Sequence, residues 1–349
     1  MEKIKEENLP DFNSAMQSGS PLPIVRDNLP GDSSGLRPVN NSFSIEVPSL
    51  QFAWDSTSLG AFKTCPQYYK YSIIDGYSSK HENVHLTFGI AMHSALETYD
   101  RERALGADHE EATRCAVRRA LRDTWRFDVK RPWQSDDSQK NRLTLVRSVV
   151  WYLAQYEFDP AKTIILSNGK PAVELSFRFD LELESHISSD TYLLCGHLDK
   201  MVELEDKIWT LDRKTSKQML DDKYFDKYSP DNQMSLYDVA GNLIYQDRNI
   251  SGLIIDAMQV GASFTRFKRG KVYRSKTQKE EWLKDTVYFI RQAERYALDN
   301  YYPKNDKACT MYGGCPFRLV CSASPESRAP LLNGLFTRRT WDPLVTREV

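Results

Sequence analysis

The sequence lacks any run of about 18 apolar residues, the minimum length of a membrane-spanning helix. Its first residues, MEKIKEENLPDF, also lack the apolar core of a secretory signal. Neither charge predominates, because 47 Lys and Arg residues stand against 48 Asp and Glu residues, for a net charge of −1. These absences predict a cytoplasmic protein without a membrane contact. They exclude a protein that coats nucleic acid through overall positive charge.

Cysteine is scarce, with six residues among 349. In a reducing compartment cysteines seldom pair as disulfides, so clustered cysteines are better interpreted as ligands of a metal or an iron–sulfur cluster. Hydrophobic residues make up 40% of the chain and charged residues 27%. This balance is typical of globular proteins and predicts a sizeable buried core.

Residues 1–50 are rich in Pro, Ser, Asn, Gly and Asp and show no sustained periodicity, which predicts a flexible N-terminal arm. The arm is either a plain tail or a segment that binds a protein partner. Folded structure is expected to begin near Phe52. We therefore expect a main domain over 51–322 and a C-terminal tail over 323–349.

Periodicity predicts helices near 86–104, 109–130, 138–157, 231–246 and 277–300. Alternating or continuous apolar patterns predict a strand from Ala172 to Glu184, two strands on either side of a polar turn at 205–207, and a buried strand at 252–260. Helices, then a small sheet, then further helices indicate a mixed α/β fold. The pattern does not divide the chain into separate domains.

The segment from Gly196 to Asp199, followed by Asp212, Arg213 and Lys214, is the most informative for function. Side chains two apart on a strand share a face, so Asp212 and Lys214 should project together. If the two strands pair as a hairpin, Asp199 lies near Asp212. Two carboxylates suit Mg²⁺ or Mn²⁺, which activate water for phosphodiester hydrolysis, and a lysine can orient that water or stabilise charge on the phosphate. A charged edge strand without function would show the same pattern.

Four motifs in order extend this interpretation. They are Gly89-x-x-x-His93, Gly196-x-x-Asp199, Asp212-x-Lys214-Thr215 and Gln233-x-x-x-Tyr237. In this order they resemble the RecB-like branch of the PD-(D/E)XK nucleases, which includes the CRISPR-adaptation exonucleases and related phage nucleases. The resemblance spans about residues 56–322. It implies a restriction-endonuclease-like core, a small mixed sheet flanked by helices, with a helical insertion.

The resemblance also implies roles for individual residues. His93, Asp199 and Asp212 would be ligands of Mg²⁺ or Mn²⁺. The catalytic group that it implies consists of Lys214, Asp212, Asp199, Gln233 and Tyr237, with the last two placing the lysine or the DNA strand.

Three further residues lie beside these motifs. Glu174 is a further acidic candidate, whereas Glu97 is expected to be a neighbour on the helix or a supporting group rather than a ligand. His197 is expected to face away from Asp199 and is left out of the site.

Three cysteines lie close together in ACTMYGGCPFRLVCS, as Cys309, Cys315 and Cys321. Three ligands are one short of the usual four. The resemblance supplies Cys65, in SLGAFKTCPQYY, as the fourth ligand of a [4Fe–4S] cluster that would clasp the two ends of the core. Zn²⁺ is the alternative, because four cysteines also suit a tetrahedral ion.

Basic residues recur every fourth position as Arg114, Arg118, Arg122 and Arg126, which predicts one basic face of a helix. This face is either solvated and paired with nearby acids or a contact for DNA phosphates. A second basic segment runs from Lys268 to Arg274. Neither segment indicates sequence-specific binding.

Together these features predict a metal-dependent deoxyribonuclease, an exonuclease acting on DNA ends or single strands in phage or bacterial replication, recombination or repair. The host would be a bacterium or a phage-infected cell. The alternatives are a non-catalytic DNA-binding protein on the same fold and a scaffold protein that joins an assembly through its N-terminal arm. A sequence-specific endonuclease is less favoured, because no separate recognition domain is evident.

Overall fold

The computed structural model of the protein describes residues 42–245 and 249–345. Most of the predicted arm, residues 1–41, and the end of the predicted tail, residues 346–349, lie outside the described residues. Among the described residues, no helix has both the length and the apolar character needed to cross a membrane.

The α-helices are α1 (Ser56–Thr64), α2 (Pro66–Tyr69), α3 (Val84–Ala104), α4 (His109–Asp123), α5 (Arg142–Gln155), α6 (Asp222–Asp226), α7 (Asn232–Ile244), α8 (Lys276–Asp299), α9 (Arg318–Ser322) and α10 (Pro325–Leu335). A π-helical turn, Lys70–Ile74, follows α2, and a 3-10 helix, Asp306–Gly313, precedes α9.

The strands are β1 (Ala53–Trp54), β2 (Tyr77–Ser79), β3 (Trp125–Arg126), β4 (Arg131–Pro132), β5 (Lys162–Thr163), β6 (Val173–Glu184), β7 (Thr191–Leu204), β8 (Lys207–Ser216), β9 (Ile250–Val260), β10 (Thr265–Val272) and β11 (Phe336–Arg338). The five predicted helices and the predicted strands are present, with shifted ends.

Side-chain caps explain where several helices begin. Asn83 accepts hydrogen bonds from the first amides of α3, and Asp231 accepts one from Met234 N at the start of α7. Ser275 and Gln278 form a capping box at the start of α8. Each cap satisfies amide groups that have no partner within the helix.

The chain divides into two compact units. The first comprises the described residues of Met1–His81, Ser176–Gly196 and Ser275–Glu348. Its aromatic core includes Trp54, which stacks on Tyr69 with ring centroids 5.4 Å apart.

Order in this unit begins before the predicted Phe52, because Leu50 and Gln51 are each only 1% exposed. Part of the predicted tail is also regular structure, since β11 pairs antiparallel with β2.

The second unit comprises Glu82–Leu175 and His197–Arg274. Its sheet is mixed: β7 and β8 are antiparallel, β8 and β9 are parallel, and β9 and β10 are antiparallel. The short strand β5 pairs with β7. Helices flank the sheet, as the sequence predicted. Phe88, Met92 and Leu96 of α3 belong to one hydrophobic core cluster, at the spacing of one helix face.

Two elements of this unit differ from the prediction. The helix expected over 109–130 ends at Asp123 and is followed by the β3–β4 hairpin. The helix ends at its C-cap, Thr124, whose amide bonds to Ala120 O, and the extended strand β3 begins at the next residue, Trp125. The charged segment after Val260 is a strand, β10, paired with β9.

Candidate active site

The predicted carboxylates come together on the hairpin of β7 and β8. In the antiparallel register Lys200 lies opposite Leu211, so Asp199 and Asp212 occupy adjoining positions at the same level of the sheet. Asp212 is 1% exposed, and the side chain of Asp199 is 13% exposed. The predicted hairpin is therefore present, and it brings two buried carboxylates to one place.

The two carboxylates have different partners. Asp199 Oδ2 accepts a hydrogen bond from the backbone amide of Arg213 at 2.8 Å. Asp212 Oδ2 lies 2.7 Å from Lys214 Nζ as an ion pair, but within the described structure it accepts no hydrogen bond of normal geometry. A buried carboxylate oxygen left in this state is suited to bind a cation.

Their pKa values are displaced in opposite directions. Burial raises the pKa of Asp212 to about 6, with Asp199 adding to the rise against the pull of Lys214. Burial acts in the same sense on Asp199, but His93, Lys214 and the Arg213 amide outweigh it and lower the pKa. Asp199 is thus the more strongly ionised member of the pair.

His93 lies on α3 and approaches the same pair. Its Nδ1 lies 3.3 Å from Asp199 Oδ2. Burial works to lower the pKa of His93, but the Asp199 carboxylate outweighs it and raises the pKa. The imidazole and the two carboxylates therefore lie close together.

Lys214 connects the carboxylates to α7. Its Nζ donates to Gln233 Oε1 at 2.8 Å, and Gln233 Nε2 donates to the Tyr237 hydroxyl at 3.0 Å. Burial works to lower the pKa of Lys214, yet Asp212 and Asp199 raise it overall, so the amine is held as an ammonium. Gln233 and Tyr237 lie four residues apart on one helix face.

Glu174, the further acidic candidate, is buried on β6. Its charge contributes to a raised pKa of Tyr237, after burial and the two aspartates, which places it close to the site. Glu97 forms an ion pair with Arg101 at 2.8 Å, in keeping with its expected role as a neighbour on the helix.

His197 lies two residues before Asp199 on the same continuous strand, so it shares the Asp199 face. The expectation that it turns away was wrong.

Asp100 is a buried carboxylate that the sequence reasoning missed. Its Oδ1 accepts from Lys200 Nζ at 2.8 Å and its Oδ2 accepts from Arg213 Nη2 at 2.5 Å. Lys200 follows Asp199 on β7, and Arg213 lies between Asp212 and Lys214 on β8. Asp100 itself lies seven residues after His93 on α3. One carboxylate therefore connects the three elements that carry His93, Asp199 and Asp212.

A signal for Asp100 was present in the sequence. Asp100 follows His93 by seven residues, which is close to two helical turns. The two side chains therefore lie on the same face of α3. Asp100, Lys200 and Arg213 line a cavity of about 210 Å³. Its wall also includes Tyr99, Tyr152 and Asp159.

A second ion-pair group lies beside this one. Arg269 binds Asp159 through two hydrogen bonds of 2.7 and 2.6 Å and reaches Asp256 at 3.1 Å. The Tyr152 hydroxyl donates to the same Asp256 carboxylate. Arg269, one of the residues in the second predicted basic segment, is thus engaged inside the protein rather than free for DNA.

The four predicted cluster ligands all lie in the first unit. Asn305 joins two of them, since its amide donates to Cys65 Sγ at 3.3 Å and its carbonyl lies 3.9 Å from Cys309 Sγ. Cys315 N donates to Cys309 O at 3.0 Å. Burial raises the pKa of Cys321, and the neighbouring thiols add to the rise. All six cysteines are free thiols.

Metal coordination is not shown for either group. Across residues 42–245 and 249–345, no three or more His, Cys, Asp or Glu side chains have the arrangement of a metal site. The predicted iron–sulfur clasp is therefore not seen in the fold. Metal binding at the carboxylates and at the cysteines stays a prediction.

The predicted basic face is exposed but does not follow one helix. Arg114, Arg118 and Arg122 lie on α4, whereas Arg126 lies on β3. Arg114 forms an ion pair with Glu111, and Arg126 pairs with Glu82. Part of the stripe is thus neutralised within the protein, and DNA contact by it stays a prediction.

A model of the PD-(D/E)XK nuclease superfamily matches residues 54–322. The chain belongs to the PD-(D/E)XK nuclease superfamily. This membership supports a nuclease activity. The matched residues include the hairpin of β7 and β8, α3 and α7. The members of this superfamily typically use divalent metal ions such as Mg²⁺ or Mn²⁺.

Solved structures give weaker likenesses. A protein from Eubacterium rectale with a provisional exonuclease name is 10% identical, with a TM-score of 0.42, and the match covers 81% of this chain and 92% of that chain. The protein SSO0001 is 10% identical with a TM-score of 0.28, over 70% of this chain and 98% of that one. No curated protein matches.

Proposed function

We propose that this PD-(D/E)XK nuclease is a divalent-metal-dependent deoxyribonuclease, an exonuclease that acts on DNA ends or single strands. The observation that carries the proposal is the convergence of Asp199, Asp212 and Lys214 on one hairpin. Replication, recombination or repair in a bacterium or phage is the setting that the RecB-like motifs favour.

The candidate ligands fit Mg²⁺ or Mn²⁺. Asp199 and Asp212 offer carboxylate oxygens, His93 offers an imidazole nitrogen, and the buried Asp212 Oδ2 has Lys214 Nζ 2.7 Å away as its ion-pair partner. Hard divalent ions prefer such oxygen-rich sets. A bound ion would supply polarisation of the phosphate and a more acidic water.

Lys214 acts as a cation rather than as a base, because Asp212 and Asp199 raise its pKa. A fixed ammonium stabilises negative charge that develops on the phosphate. Gln233 holds Nζ from one side and is itself held by Tyr237, so the ammonium has a restricted position. Restricted geometry of this kind lowers the cost of reaching the transition state.

The decisive experiment is degradation of end-labelled single- and double-stranded DNA with Mn²⁺, Mg²⁺ or EDTA. Lys214→Met should abolish cutting, whereas Lys207→Met, at the exposed start of the same strand, should leave it intact. The product ladder distinguishes exonuclease from endonuclease action. If wild type binds DNA but cuts none with either metal, the non-catalytic DNA-binding function replaces the proposal.

We further propose that Cys65, Cys309, Cys315 and Cys321 hold a [4Fe–4S] cluster. Four free thiols are the usual ligand set, and Cys321 lies within electrostatic range of the other three. A cluster at these positions would join residues more than 240 apart in sequence and so restrict the unfolded chain.

Anaerobically purified protein should contain iron and acid-labile sulfide and absorb visible light. Cys315→Ser should lose all three signals, whereas Cys115→Ser, in the other unit, should keep them. Zinc without sulfide would establish the tetrahedral alternative, and protein free of both metals would contradict the cluster.

A further inference from the structure

The hairpin after α4 projects from a fixed base. Trp133 N donates to Thr124 O at 2.8 Å, and these two residues are 3% and 1% exposed. Between them, β3 and β4 pair through Trp125 with Pro132 and Arg126 with Arg131. Every residue from 125 to 131 is nevertheless exposed. The base is therefore anchored, and the tip makes little contribution to the core.

The composition of the tip is unusual for a turn. Phe127 and Val129, in the turn, are 69% and 51% exposed, and Trp125, on β3, is 38% exposed. Turns normally use Gly, Asn, Asp or Pro, because these residues suit the backbone or bond to it. Large apolar residues with this much exposed surface cost solubility and gain less from burial than residues of the core. Their presence together indicates a contact with a ligand.

The hairpin is attached beside the helix that carries His93. Arg126 forms an ion pair with one oxygen of Glu82, and the other oxygen accepts from Thr87 Oγ1 at 2.6 Å. Thr87 lies on α3, six residues before His93, or about 9 Å along the helix axis. The exposed side chains of Leu86 and Ile90, at 55% and 60%, lie on the same stretch of α3.

The charge of this region is positive. From Arg122 to Pro132 there are four basic residues (Arg122, Arg126, Lys130, Arg131) and two acidic residues (Asp123, Asp128), which gives +2, or +1 when Glu82, the ion-pair partner of Arg126, is included. Arg118 and Arg122 are exposed on the last turns of α4 and continue the positive charge toward the tip. The ligand should therefore be anionic as well as apolar.

We propose that the β3–β4 hairpin is a stacking platform for unpaired bases of single-stranded DNA beside the active site. Exposed rings stack on bases, and neighbouring Arg and Lys side chains attract the phosphates. Bases in a duplex are already stacked, so the platform favours a single strand or a frayed end. This inference rests on the proposed function and specifies its substrate.

The test compares binding of fluorescent single-stranded and blunt duplex DNA, measured by anisotropy in EDTA so that no cutting occurs. Trp125→Ala/Phe127→Ala should bind the single strand about ten-fold more weakly and the duplex almost unchanged. Leu143→Ala is the matched control, because Leu143 is 79% exposed on α5 of the same unit and should not affect either DNA.

Two further variants keep the test independent of folding. Phe127→Asn removes the ring but suits a turn, and it should also weaken single-strand binding. Phe127→Trp keeps a ring and should bind like wild type. Equal affinity of wild type and the double variant for single strands would overturn the platform, as would an equal loss on both DNA forms.

The outcome separates this inference from the proposed function. A wild type that cuts DNA, with a double variant that binds single strands normally, leaves the nuclease standing and removes the platform. A wild type that cuts nothing, yet loses single-strand binding in the double variant, removes the nuclease and keeps the platform.

Discussion

At the scale of single residues, the candidate site depends on a carboxylate that touches none of the candidate ligands. Asp100 binds Lys200 and Arg213, the immediate neighbours of Asp199 and Asp212. The Arg213 amide in turn donates to Asp199. A shift of Arg213 would therefore be transmitted to both carboxylates.

Asp100→Asn should reduce kcat with a smaller change in KM and should weaken Mn²⁺ binding measured by titration. It should also destabilise the fold by about 3 kcal/mol, because two buried cations lose their ionic partner. Restoring the charge with Asp100→Glu should recover part of the activity.

Asp159→Asn is the control for this prediction. Asp159 binds Arg269 through two hydrogen bonds and acts on Lys200 only through its charge, whereas Asp100 hydrogen-bonds both Lys200 and Arg213, so the loss of Asp159 should lower stability with a smaller effect on Mn²⁺ binding. If both variants lowered Mn²⁺ affinity equally, Asp100 would have only a structural role.

At the scale of elements, the hairpin of β7 and β8 was predictable because alternation with a period of two sets which side chains share a face. The polar turn at Glu205 and Asp206 joins strands that end at Leu204 and begin at Lys207. The shared face of Asp212 and Lys214 followed from this spacing alone. These features depend on local sequence, and local sequence was sufficient for them.

The end of α4 was not predictable in the same way. Arginines at every fourth position continued to Arg126 and suggested an uninterrupted helix, yet the helix ends at Asp123. Thr124 is buried there, and its amide and hydroxyl both bond to Ala120 O. The tertiary setting of Thr124 and Trp133, which charge periodicity does not encode, determines where the chain turns. The partners of Asp100 escaped prediction for the same reason, since they lie 100 and 113 residues away.

At the scale of the whole molecule, buried carboxylates in both units link stability to pH. Burial works to raise the pKa of Asp100, Asp159 and Glu294, but their partners outweigh it and lower all three. For Asp100 these are Arg213 and Lys200, and for Glu294 they include the His186 amide.

Because of each of these three carboxylates, the folded state should lose stability in acid. Because the folded-state pKa lies below the unfolded value of about 4, the unfolded chain binds more protons in acid, and stability is lost as pH falls from there through the folded pKa. Asp212 acts oppositely, because its folded-state pKa of about 6 lies above the unfolded value of about 4. The stability that it contributes in acid is therefore lost as pH rises from about 4 through 6. The carboxylates with lowered pKa values, which include Asp199 as well as these three, outnumber Asp212 and predict a lower free energy of unfolding in urea at about pH 3 than at neutrality. Glu294→Gln should flatten this dependence, and an unfolding free energy that does not fall in acid would show that the ion pairs contribute no net stability.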